Sequence, residues 1–296
     1  MTPMKHARAS RRLPTLWFAL GAALGCQSAG ARDDASDGHD HAHIGDVASS
    51  DAADASDGHA HDLATADAGS DAADGADGAR DRSRDLEIQL GGWSSEQGRR
   101  AELRLVDTSG AVVSLVLLRA VTTGAERFVL DDVMGAAPAR VDWFTDLDGD
   151  GRYGAPDVTS RAATPSEPPY LLRLAPGATP GAPAPLPAGG APLVGHLVGF
   201  EVHVGVRFEL RVTAVGSDRT VALFRDEAMS GAGSLDVHLP NVLVPGRAYR
   251  VFFFIDLNDN GVYDARGDHG SGIEGEATEA GLTFGHDHST NRTWRM

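Results

Sequence analysis

The chain predicts an all-β fold, two tandem β-sandwich modules carried behind a disordered acidic stalk. Three observations carry that expectation. Downstream of the stalk, apolar residues alternate with period two or form short β-branched runs between turn residues, and no window keeps a helical period. A short acidic phrase occurs twice, from Asp146 and again from Asp256, each time at the end of an apolar run. Between the two copies lies a stretch rich in Pro, Ala and Gly, which packs no core and reads as a semi-extended spacer.

Taken in order, the chain begins with Lys5, Arg8, Arg11 and Arg12, followed by a short apolar stretch over 13–24 and then Gly25-Cys26. This is the layout of a secretion signal, and the apolar stretch is too short to span a bilayer comfortably. The Gly-Cys pair resembles the bacterial lipobox, although Ala23 and Leu24 depart from its usual residues. The resemblance implies that Cys26 is acylated, that 1–26 is a lipoprotein signal peptide, and that the mature chain is tethered to a membrane by its N-terminal lipid. Cys26 is the single cysteine in 296 residues, so the chain cannot close a disulfide on itself. The expected location is the bacterial cell envelope, facing the periplasm or the exterior.

Residues 27–85 hold 15 Asp against 4 Arg, a local charge of −11, with almost no large apolar side chain. Such a segment buries too little to offset chain entropy, and its like charges repel, so a disordered stalk is expected. His39, His41, His43, His59 and His61 fall within it as His-x-His clusters. These bind zinc, copper or nickel weakly or serve only as a hydrophilic tether.

The modules occupy 86–175 and 193–296, joined by a linker over 176–192. Strands are expected over 101–107, 112–120, 127–130, 140–145 and 170–174 in the first module. In the second they are expected over 207–213, 220–224, 234–239 and 249–255. The halves align in three blocks. Ala101-Glu-Leu-Arg-Leu matches Phe208-Glu-Leu-Arg-Val, and residues 128–134 match 237–243. The acidic phrase is the third block. Several short strands with turns between them point to an immunoglobulin-like sandwich occurring twice.

Each acidic phrase reads D-x-[DN]-x-[DN]-G-x-Tyr. Oxygen-bearing side chains at positions 1, 3 and 5, with Gly at 6 for a sharp turn, form the front half of a calcium loop. In the first copy Asp146, Asp148 and Asp150 supply carboxylates, Arg152 offers a main-chain carbonyl, and Asp157 stands at the closing position 12. The second copy offers Asp256, Asn258 and Asn260, with Asp264 at position 9 and Asp268 just past position 12. Two calcium sites are expected, the alternative being Asx turns whose side chains only cap backbone groups. The phrase from Asp256 to Asp264 resembles the strand ends of the B-type repeats of serine–aspartate-repeat adhesins, which implies calcium. Through His203-Val-Gly, Glu209-Leu-Arg-Val and the run from Tyr249 to Asp264 followed by Asp268-His269, the second module is also similar to modules of secreted bacterial proteins that carry no established activity. The first module lacks both the His-Val-Gly and the Asp-His of that likeness.

The histidines downstream of the stalk all lie in the second module: His196, His203, His238, His269, His286 and His288. Sequence-distant strands of a sandwich can meet, so His203 with His286 and His288, joined by His269, form a candidate copper or zinc site. The alternative is a set of surface histidines, with one or two bonded to backbone. No nucleophile elbow, zinc-protease helix or phosphate loop is present, and no catalytic role is expected. Residues 86–296 carry 27 acids against 18 Arg, which disfavours a nucleic-acid partner. The expected role is binding or structural, toward a protein or glycan, with copper or zinc handling as the rival.

Overall fold

The computed structural model describes residues 81–122, 126–177, 181–229 and 233–296. The signal peptide, Cys26 and most of the stalk lie outside the described residues. What is described is all-β, with strands joined by turns and short 3-10 segments. The first half runs β1 (Leu86–Leu90), β2 (Arg100–Asp107), β3 (Val112–Leu118), β4 (Glu126–Leu130), β5 (Pro138–Asp146), β6 (Val158–Ala163) and β7 (Tyr170–Leu174). The second half runs β8 (Ala191–Val198), β9 (Arg207–Ala214), β10 (Thr220–Asp226), β11 (Leu235–Leu243), β12 (Ala248–Asp256), β13 (His269–Glu276), β14 (Leu282–Asp287) and β15 (Arg292–Arg295).

The repeat seen in the sequence is a repeat of topology. In the first half β4-β1-β7 form a small sheet, and in the second β11-β8-β14 form its counterpart, extended by β15. The remaining strands do not make two separate sheets. They join as one eight-stranded sheet, β13-β12-β9-β10-β3-β2-β5-β6, in which the corresponding strands β3 and β10 pair in parallel at the centre. The halves are therefore fused side by side through a shared sheet, where two sandwiches hinged on a linker were expected.

Parallel pairing of equivalent strands reverses the faces. Leu115 and Leu117 of β3 belong to the second half's core, whereas Val116 and Leu118 belong to the first half's. In β10, Ala222 and Phe224 enter the second core and Leu223 the first. The two small sheets thus cover opposite faces of the long one. Its two central strands are consequently buried on both sides, which their nearly unbroken apolar runs require.

The Pro-rich segment is not a free spacer. The Ala184 N–H donates to Asp142 Oδ2 at 2.9 Å, the Arg104 guanidinium donates to the Ala184 carbonyl, and Leu186 packs against the second core.

Candidate metal centres

Among the described residues, two clusters bring potential ligands together, both at or just beyond the ends of β-strands. The first is made of histidines. Phe200 opens a 3-10 turn over Glu201–His203, and the His203 N–H closes that turn on the Phe200 carbonyl. Gly199 precedes the turn at φ +82°. A Cβ at this position would lie 2.8 Å from the Ser289 nitrogen and 3.0 Å from Asp287 Oδ1. Only glycine lets the end of β8 come so close to the turn that follows β14.

That second turn, His288–Thr290, is capped by Asp287, whose side chain accepts the Ser289 N–H. His269 enters from the start of β13, the edge strand beside β12. The outcome is a triad. His203 Nε2 lies 2.9 Å from His288 Nε2, His269 Nδ1 lies 3.4 Å from the same atom, and the three ligand atoms all fall within 4.8 Å of one another. Imidazole nitrogens 2.0–2.1 Å from a tetrahedral zinc stand about 3.3 Å apart, so this triad is already near a ligating geometry. Phe200 stacks on the His288 ring, with centroids 4.8 Å apart and planes 17° apart, and fixes its orientation. His203 is buried and His269 exposed, so the cluster opens to solvent on the His269 side.

Burial lowers the pKa of His203, and the neighbouring His288 and His269 lower it further. The same two causes, burial and the charge of His269, outweigh Asp287 and lower His288. Both rings are therefore neutral at pH 7, with lone pairs available to a metal.

His286 does not join the triad. It is buried, bonds Thr293 Oγ1 through Nδ1 at 2.8 Å, and has its pKa pushed down to about 4, by burial first and by His288 second. The alternation that would place 286 and 288 on one face stops where β14 ends, at Asp287. His196 pairs with the exposed Asp236 instead.

The second cluster is Asp146, Asp148 and Asp157, whose carboxylate oxygens also approach within 4.8 Å. Asp146 Oδ1 and Oδ2 accept the N–H groups of Gly149 and Gly151 at 2.6 and 2.8 Å. Asp157 closes the loop by accepting from Leu147 and Gly154. Asp150 stands apart from the cluster and accepts the Arg152 N–H.

The second loop repeats this pattern with Asp268 in the closing role, accepting from Leu257 and Asp264. Asp264 itself caps Arg266, Asn258 accepts from Asn260, and Asn260 accepts from Val262. Its first ligand position is different. Asp256 Oδ2 holds the Arg207 guanidinium at 2.7 Å, and Arg207 also reaches Asp259 at 2.9 Å. A cation of the chain itself thus sits on this carboxylate. Among the described residues only the first loop gathers three carboxylates. Sequence reasoning missed Arg207, which the register reveals because it pairs directly with Asp256 across β9 and β12.

No protein-family model matches the chain, and comparison with curated proteins and with solved structures finds no significant match.

Proposed function

We propose that this is a lipid-tethered envelope protein that binds a copper or zinc ion at His203, His269 and His288. The observation that carries the reading is the meeting of three imidazoles from three separate elements, with His203 and His269 nitrogens 2.9 and 3.4 Å from His288 Nε2 and all three within 4.8 Å of one another. Three imidazoles suit copper and zinc and leave a coordination position for solvent or an exchanging ligand. The His-x-His pairs upstream of residue 62 would act as weaker collectors, and Cys26 would carry the lipid. Isothermal titration of the full chain with copper or zinc tests the reading. One tight site is expected, abolished in His203→Ala and in His288→Ala while the weak upstream binding persists. Unchanged tight binding in both variants would overturn it.

A second reading rests on the Asp146, Asp148 and Asp157 cluster: calcium at the first loop, bracing the turn after β5. It is compatible with the first, since hard and borderline cations select different donors.

A further inference from the structure

A cleft of about 730 Å³ lies between the outer side of the β4-β1-β7 sheet and the outer face of β9 and β12. We infer that it binds an uncharged, proline-rich polypeptide segment in extended conformation.

The inference comes from the molecule's internal repeat. Because the small sheets cover opposite faces, each half leaves the outer face of its long-sheet strands opposite the other half. In the first half that face presents Arg104, Asp142 and Phe144, and the chain itself covers it. Ala184, in the sequence Gly181-Ala-Pro-Ala-Pro-Leu-Pro187, is gripped by Arg104 and Asp142, and Leu186 packs on the facing core. In the second half the equivalent face presents Arg211, Phe252 and Phe254, and there the cleft stands open. One half thus holds a Pro/Ala segment in the place that its twin leaves vacant.

The side chains of the open cleft fit such an occupant. Phe252 and Tyr263 meet edge to face at 4.9 Å, and Tyr263 lies 5.7 Å from Phe254, as Tyr153 does from Phe144. Gly270 makes room for this wall, since a Cβ there would lie 2.6 Å from the Tyr263 ring. Pro169 and Tyr170 line the opposite side. Aromatic-lined grooves of this kind recognise polyproline-type segments, which lose little entropy on binding. Phe252 replaces Asp142, the residue that accepts the Ala184 N–H in the first half. Proline has no N–H to offer, so the loss of that acceptor suits proline at this point. Charge agrees as well. Arg82, Arg127 and Arg211 stand against Asp85, Glu87 and Asp131, leaving the lining without net charge.

The test is calorimetric titration of the full chain with a synthetic peptide of sequence 181–187, beside a neutral oligosaccharide such as maltohexaose. Saturable peptide binding is expected, weakened at least about tenfold in Phe252→Ala and in Tyr263→Ala, because each removes a stacking ring. Both rings are partly exposed, and an unchanged melting temperature would show that the fold survives. No binding of the peptide at millimolar concentration, binding indifferent to both substitutions, or saturation by the oligosaccharide alone would each overturn the inference.

Discussion

Glu209 and Arg225 face each other in the interior, Glu209 with no exposed surface and Arg225 at 1% exposure. Arg225 Nε donates to Glu209 Oε2 at 2.9 Å, Arg225 Nη1 reaches the Arg127 carbonyl in the first half at 2.9 Å, and its guanidinium lies 5.6 Å over the Phe128 ring. Burial alone would raise the Glu209 carboxyl, but Arg211 and Arg225 outweigh it and hold its pKa below the usual glutamate range. The stability from this carboxylate is therefore complete above about pH 4.5 and lost as the pH falls below that toward the depressed folded value. Replacing Arg225 with Met strands a buried charge with one partner fewer, so a loss of about 3 kcal/mol is expected in urea unfolding at pH 7. The penalty should shrink in acid, where Glu209 is protonated. A penalty independent of pH would mean that shape, not charge, is what Arg225 supplies. The Glu-Leu-Arg phrase was legible as a repeat at 102–104 and 209–211, but its ion pairing was not, because period two reports a face and not what covers it.

At the scale of elements, strands whose residues alternate or run apolar were readable, and those built on glycine or short side chains were not. β13 reads His-Gly-Ser-Gly-Ile-Glu-Gly-Glu and shows no period, because Gly270 and Gly272 serve close approach to Phe252 and Tyr263. The histidine site was half legible for the same reason. His203 and His288 stood out in the sequence, but His269 precedence over His286 depends on where β14 stops. The acidic loops were legible in full as turns, while the guanidinium on Asp256 required the strand register. Here the calcium reading makes a specific demand. Asp148 accepts the Asp150 N–H through Oδ1, and asparagine can keep that bond. Asp148→Asn should therefore leave the metal-free melting temperature within about 2 °C of the parent, given the small cost of a retained hydrogen bond. It should also reduce the rise in melting temperature that calcium gives the parent, because asparagine keeps an oxygen ligand at this position but loses its charge. A parent that calcium does not stabilise would reduce both loops to Asx turns.

For the whole molecule, the decisive feature is the pairing of β3 with β10, which no repeat analysis reveals because each half is self-similar with or without it. A trace was present nonetheless. Residues 115–118 and 221–224 are apolar on both faces, whereas a strand of an isolated sandwich faces a core on one side only. Leu115 and Leu117 are at most 4% exposed only because the second half covers them, and Leu223 depends likewise on the first. Each buried leucine contributes about 2 kcal/mol, comparable in sum to the net stability of a domain, so neither half should stand alone. A fragment of residues 81–177 is therefore expected to be aggregated or partly unfolded, with Leu115 and Leu117 and the free edge of β3 open to other chains. The intact chain should melt in one calorimetric transition, its van't Hoff and calorimetric enthalpies agreeing. Cleavage of the backbone near Gly189 should leave the two pieces associated, since the joint is the shared sheet and not the linker. Two separate transitions in the intact chain, or a soluble monomeric first half with native circular dichroism, would show that the parallel pair contributes little and that the halves fold as independent sandwiches.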